Sequence, residues 1–227
     1  MERVIIMPVK TIGVLSDTHD LLRPEVVELL KGCDVILHGG DVCSGKILDR
    51  LGEIAPLYAV RGNNFKGRAE DLPESLEVEA CGLKIFMTHK KKELPKDLSS
   101  YDLVVYGHSH KYEESQEGKT VIINPGSCGP RRFHQPITLA ILTLGSDGSL
   151  QVERQDIAHP ETEQELAKED IGKEQIEKII RKWEKGKSYA KIAKDVHISE
   201  ALAEQILRLY LTHPGVDAEG IMKKLGL

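Results

Sequence analysis

Five short apolar runs in the first half of the chain each end in a cluster of oxygen and imidazole donors, and that pattern limits the fold more than any other feature. The clusters are Ser16-Asp17-Thr18-His19, Gly39-Gly40-Asp41, Arg61-Gly62-Asn63, Thr88-His89 and Gly107-His108-Ser109-His110. Strand ends along one edge of an α/β sheet converge in space, so side chains distant in sequence can share a site there. Three carboxylate or amide oxygens (Asp17, Asp41, Asn63) and four imidazoles (His19, His89, His108, His110) are too many for one zinc-like ion, which takes about four ligands. They suit two ions that share a ligand.

The spacing between clusters predicts how the strands are connected. Thr11–Ser16, Asp34–His38 and Pro56–Val60 have strand length and are apolar, with helices expected from Pro24 to Lys31 and around Ile47–Leu51. Strands alternating with helices argue for a mainly parallel sheet covered by helices. The pattern then changes. Leu76–Glu79 and Leu83–Thr88 flank Cys81-Gly82 as a hairpin, followed by strands at Leu103–Tyr106, Thr120–Asn124, Ile137–Leu144 and Leu150–Ile157. A second sheet facing the first is expected, giving a four-layer αββα sandwich.

Past Ile157 the composition becomes acidic and polar, and residues 159–173 read as a linker running into a helix. Ile176, Ile179, Ile180 and Trp183 then mark one face of an amphipathic helix ended by Gly186. Ser188, Ser199 and Asp217 are candidate caps for three further helices. The expected organisation is a sandwich domain over residues 1–158 and a small all-α appendage over 159–227.

The net charge of -5 gives no general attraction to nucleic acid or membrane, and no apolar run approaches the roughly 20 residues of a membrane span. Four cysteines without C-x-x-C spacing read as reduced thiols, and residues 1–10, interrupted by Pro8, lack the apolar region of a signal peptide. A cytoplasmic protein is expected.

Hydrolysis with two metals needs a shared acidic ligand, and ions about 3.5–4 Å apart activate a bridging hydroxide for in-line attack at phosphorus. Asp41 is the candidate bridge. Asp17 and His19, at alternate positions, can reach one ion, whereas His108 and His110 in a turn can serve different ions. Asn63 offers a neutral oxygen, and its amide could also touch a substrate phosphate.

In this order, D-x-H, G-D, G-N, a lone His and G-H-x-H resemble the calcineurin-like metallophosphoesterases, in particular the small YfcE-type phosphodiesterase branch. The resemblance covers roughly Thr11–Ile157. It implies a binuclear centre commonly filled by manganese, nickel, iron or zinc, with Mn2+ the leading candidate. By matching position, Asp17, His19, Asp41 and His110 would hold one ion, and Asp41, Asn63, His89 and His108 the other. Asp41, Asn63 and His108 would carry the catalysis of a phosphodiesterase. Asn63, Asn64, Ser127 of the N-P-G-S stretch and Arg131 are the substrate-side candidates.

Two loops depart from the family pattern. Many relatives continue G-N into G-N-H-[DE], where the His assists the leaving group, and here Asn64 and Phe65 follow instead. Any general acid then comes from elsewhere, His134 being one candidate, or the substrates have good leaving groups. Lys90-Lys91-Lys92 stands after His89 where relatives often show H-G-H; it reads as a basic loop, either solvated or facing a phosphate. An alternative class is a non-catalytic scaffold of the same fold, like a retromer subunit, which retention of all seven ligand positions disfavours. A third reading concerns the tail. Tyr189–Arg208 resembles a helix-turn-helix with His197 at the turn, and Glu200, Glu204, Gln205 and Arg208 would be its reading face. Nucleic acid, a homo-oligomeric partner and simple packing are all open for it.

Overall fold

A computed structural model describes residues 9–64, 67–131, 135–157, 171–213 and 215–225; Phe65, His134 and the linker up to residue 170 lie outside them. The chain divides into two compact units, one holding both sheets and the other the C-terminal helices together with the short segment at Pro130 and Arg131.

The first sheet contains β1 (Lys10–Leu15), β2 (Val35–His38), β3 (Leu57–Ala59), β9 (Ile137–Leu144) and β10 (Leu150–Ile157), in the order β10-β9-β1-β2-β3. β1, β2 and β3 are mutually parallel, and β9 returns antiparallel beside β1. The second sheet contains β4 (Ser75–Ala80), β5 (Leu83–Thr88), β6 (Leu103–Val105), β7 (Tyr112–Glu117) and β8 (Thr120–Pro125), in the order β4-β5-β6-β8-β7. β5, β6 and β8 are parallel, flanked by antiparallel edges. Each donor cluster follows the C-terminal end of a strand in one of these parallel sets.

Alternating side chains explain the layers. Ile12, Val14, Val35 and Leu37 of the first sheet meet Ile85, Met87, Leu103, Val105 and Ile123 of the second in one buried cluster. The opposite face of the first sheet (Leu15, Ile36, Leu139) is covered by α1 (Pro24–Leu30) and α2 (Gly45–Gly52) through Val26, Leu30, Ile47 and Leu51. Over the far face of the second sheet, Leu94, Leu98 and Tyr101 shield Phe86, Val104 and Ile122. Each of these fully buried aliphatic side chains contributes about 1.5–3 kcal/mol relative to exposure. The sequence reading missed β7. Its Tyr-Glu-Glu-Ser-Gln-Glu run has no apolar period because it is a largely exposed edge strand, and its carboxylates discourage pairing with another chain.

The helical unit contains α3 (Lys173–Glu184), α4 (Tyr189–Val196), α5 (Glu200–Thr212) and α6 (Ala218–Leu225). The expected caps are present: Ser188 accepts from Lys191 N, Ser199 from Leu202 N, and Asp217 from Gly220 N. His197 adopts the left-handed conformation (φ 59°, ψ 48°) that a tight turn between α4 and α5 demands. Ile176, Ile179, Ile192, Val196, Ile206 and Leu207 supply the core. Two of the four residues expected to face a nucleic acid, Glu204 and Arg208, have partners within the unit, while Glu200 is exposed. Glu204 is buried, its carboxylate accepting the Arg131 N–H at 2.7 Å, and the Arg208 guanidinium donates to the Arg131 carbonyl. Among the described residues no helix is long and apolar enough to cross a membrane.

Candidate metal centre

Parallel pairing of β1 and β2 continues past the strand ends and zips the first two donor loops together. Gly39 N donates to Leu15 O (2.8 Å), Asp17 N to Gly40 O (2.9 Å) and His19 N to Asp41 O (3.0 Å). These bonds draw the loops into left-handed backbone at Asp17 (φ 54°), His19 (φ 43°) and Asp41 (φ 55°). The loop after β6 uses the same conformation at His108 (φ 71°) and His110 (φ 59°).

The carboxylate of Asp17 is fully buried and has two different oxygens. Oδ2 accepts from Ser16 Oγ (2.6 Å) and His108 N (3.0 Å). Oδ1 has no hydrogen-bond partner, although His110 Nε2 lies 3.1 Å away and His19 Nε2 3.8 Å. Burial pushes this carboxyl up, but the imidazoles of His110, His89 and His19 outweigh it and hold the group well below the usual carboxylate range. Asp41 faces two imidazoles at once, with Oδ2 3.6 Å from His19 Nε2 and Oδ1 3.6 Å from His89 Nε2.

The histidines are oriented by their other ring nitrogens. His89 Nδ1 lies 2.8 Å from Gly39 O, which can only accept, so Nδ1 carries the proton. The lone pair of neutral His89 is therefore on Nε2, buried, without a hydrogen-bond partner and aimed toward a carboxylate. His19 and His110 stack at 5.1 Å with their Nε2 atoms 3.3 Å apart. His108 is exposed, with its ring 5.2 Å from that of His89, and partial burial and the neighbouring His89 lower its pKa.

Two triads result, Asp17-His19-His110 and Asp17-Asp41-His89, each with donor atoms within 4.8 Å of one another. The His89 Nε2 lone pair faces carboxylate oxygens, and a divalent cation between them would turn that repulsion into coordination. Buried N and O donors fit such an ion; His89 is held from behind by the Gly39 carbonyl and Asp17 by Ser16 Oγ and His108 N, whereas His110 Nδ1 is buried without a hydrogen-bond partner. Asp17 belongs to both triads, and the two oxygens of Asp41 face members of both.

The remaining expected site residues are distributed unevenly. Asn63 is exposed, and Asn64 grips Asp41, with its N–H on Oδ1 and its Nδ2 on Oδ2, both at 2.8 Å. Glycine is required just before them: a Cβ on Gly62 would sit 1.9 Å from Asp41 Oδ1 and 2.3 Å from Asp41 N. Ser127 is buried and donates to Asp17 O (3.0 Å), so its hydroxyl braces the loop. Asn124, which had no assigned role beyond the N-P-G-S motif, donates to Gly107 O (2.8 Å) and Ser109 Oγ (3.0 Å) and braces the His108 loop. Arg131 groups with the helical unit, its backbone held by Glu204 and Arg208. Lys91 pairs with Glu113 (2.6 Å) and Lys90 lies 3.7 Å from Glu93, so two of the three lysines after His89 have protein partners. Cys43 Sγ is 3.7 Å from His19 Nδ1 at the rim of the site, whereas the Cys128 thiol is buried and pushed up to about 12 by burial.

Residues 11–147 match the calcineurin-like phosphoesterase superfamily domain. A phosphodiesterase of Methanocaldococcus jannaschii is 29% identical over 138 residues, covering 52% of this chain and 83% of its own length. A probable metallophosphoesterase of Methanothermobacter thermautotrophicus is 30% identical over 152 residues, covering 60% of this chain and 86% of its own. Among solved structures, an archaeal phosphodiesterase superposes with a TM-score of 0.54 at 26% identity, over 64% of this chain and 99% of its own. Vacuolar protein sorting 29 of Cryptosporidium parvum shares the fold, with a TM-score of 0.52 at 21% identity over 66% of this chain and 99% of its own. The chain belongs to the calcineurin-like phosphoesterase superfamily and is a metal-dependent phosphoesterase.

Proposed function

We propose that the sandwich, residues 1–158, is a phosphodiesterase with a binuclear metal centre, and that residues 159–227 form a separate helical domain. Asp17, His19, Asp41 and His110 hold one ion, and Asp41, Asn63, His89 and His108 the other. The observation that carries this reading is the pair of buried triads, in which Asp17 Oδ1 lies 3.1 Å from His110 Nε2 and His89 Nε2 lies 3.6 Å from Asp41 Oδ1, neither in a hydrogen bond. Divalent ions at these donors supply Lewis acidity toward phosphate oxygens and lower the pKa of a coordinated water. Manganese is our leading candidate, with nickel, iron and zinc as alternatives compatible with N and O ligands.

The chain's own groups do the rest. Asp41, one oxygen toward each of two imidazoles, would be the carboxylate shared by both ions, and the fork from Asn64 keeps both oxygens in place. His108 stands at the exposed mouth, where it meets substrate as well as ligand side. Asn63, also exposed, would offer its amide oxygen to the second ion and its amide to a substrate phosphate. An amide at position 64 cannot protonate a departing alkoxide, which favours esters whose leaving groups are already stable as anions. Four free cysteines support a reducing, cytoplasmic site of action.

Metal analysis of the purified protein, followed by parallel assays on an aryl phosphodiester and the matching monoester, tests the reading. Asp41→Ala and His108→Ala should abolish diester hydrolysis while far-ultraviolet circular dichroism stays unchanged. Full activity in either variant, or a clear monoester preference, overturns the assignment.

A further inference from the structure

We propose that His38, which hydrogen-bonds to none of the donor side chains, is the positioning residue that locks the Asp17–His19 loop to the Gly40–Asp41 loop and so sets the affinity of the centre for its ions. This inference rests on the metal-centre reading above. His38 is the last residue of β2 and fully buried. Its Nδ1 lies 3.2 Å from Gly40 N, a group that can only donate, so Nδ1 is an acceptor and carries no proton. The proton of the neutral ring therefore sits on Nε2, which donates to Thr18 Oγ1 at 3.1 Å.

One ring thus bridges two loops at the residues beside their donors. Thr18 lies between Asp17 and His19, and Gly40 immediately precedes Asp41. The backbone ladder between the loops, four bonds from Gly39 N to Leu15 O through Asp20 N to Val42 O, is all main chain and fixes their separation. The His38 ring adds a buried side-chain link between the residues flanking the donors. Packing alone would not call for a histidine there, because an apolar ring of similar size would fill the space without needing two polar partners. Its tautomer also follows from the partners, as it does for second-layer groups that orient metal ligands.

Three variants separate this role from plain stability. Thr18→Val removes the hydroxyl and keeps the shape. His38→Asn keeps an acceptor for Gly40 N–H and is too short to reach Thr18. Thr18→Ser restores the hydroxyl. Mn2+ titrations of the metal-free proteins by calorimetry, with melting temperatures alongside, are the readout. Thr18→Val and His38→Asn should each bind Mn2+ about tenfold more weakly than wild type, and Thr18→Ser should recover the affinity lost in Thr18→Val. Wild-type affinity in both Thr18→Val and His38→Asn, even with lower melting temperatures, overturns the proposal and leaves the metal centre standing. Absence of Mn2+ binding by the wild-type protein instead sinks the metal-centre reading, and this inference with it. Thr18→Val is the mildest change and keeps the experiment decisive if His38→Asn does not fold.

Discussion

Gly62→Ala tests whether the geometry of the donor loops, rather than the mere presence of the donors, makes the centre. The new Cβ would lie 1.9 Å from Asp41 Oδ1, 2.7 Å from Asp41 Cγ and 2.3 Å from Asp41 N. Real Cβ contacts stay beyond 3.0 Å, so the loop carrying Asn63 and Asn64 must retreat by at least about 1.1 Å from Asp41. The backbone nitrogen of Asp41 cannot give way, because Asp41 O is itself tied to His19 N. A retreat of that size stretches the two 2.8 Å bonds from Asn64 to roughly 3.9 Å, beyond any hydrogen bond. Displacements near 1 Å at a reacting centre cost on the order of 100-fold in rate, about 2.7 kcal/mol in the barrier. The assay is kcat/KM on an aryl phosphodiester with saturating Mn2+, with metal content and melting temperature measured on the same sample. Gly52→Ala is the control, since its Cβ would meet nothing within 4 Å at the end of α2. A Gly62→Ala enzyme within about threefold of wild type would refute the reasoning.

Three further outcomes follow from the same structure. Removing metal with a chelator should lower the melting temperature by roughly 5–10 °C, the value for ligand held at about 100 times its dissociation constant in a domain of this size, and Asp41→Ala should abolish the difference. Burial depresses the His38 pKa from 6.5 to about 4, outweighing Asp17, with His89, Asp41 and His19 acting more weakly. The unfolded chain therefore binds the extra proton more readily between those values; stability is full above pH 6.5 and falls as pH drops toward 4. Urea unfolding of the metal-free protein should show wild type losing about 2 kcal/mol more than His38→Asn between pH 7 and pH 5, and parallel losses would contradict the burial argument. In the helical unit, Ser199→Ala removes the acceptor for Leu202 N (3.1 Å) and should cost about 1 kcal/mol in urea unfolding with diesterase activity unchanged.

The grouping of Asp17, His19, Asp41, His89 and His110 was legible in the sequence because each follows an apolar strand, and strand ends in a parallel sheet gather at one edge. What surrounds them was not. His38 looks like one more residue of a buried strand until the pairing of β1 with β2 brings Thr18 and Gly40 to its two nitrogens. Asn64 takes the contacts with Asp41 while Asn63 is exposed, a distinction of one residue that depends on how the loop turns after Gly62. Ser127 read as a substrate group from its motif, and its donation to the Asp17 carbonyl, which braces the loop, depends on a contact 110 residues away in sequence. β7 escaped notice because an exposed edge strand carries no apolar rhythm. The helices of the tail, by contrast, announced themselves through caps and period, although the partners of Glu204 and Arg208 could not be foreseen from a helical wheel.

The left-handed backbone at Asp17, His19, Asp41, His108 and His110 has a consequence for how such a centre can change over evolutionary time. Aspartate and histidine are among the few residues other than glycine that enter this conformation readily, and they are also the donors the ions need. Two independent filters, one of chemistry and one of main-chain shape, therefore admit the same short alphabet at these positions. Replacing aspartate by glutamate, conservative in charge, fails the second filter as well as overshooting in reach. The residues between the donors are under neither filter, while the donor positions themselves have almost nowhere to go.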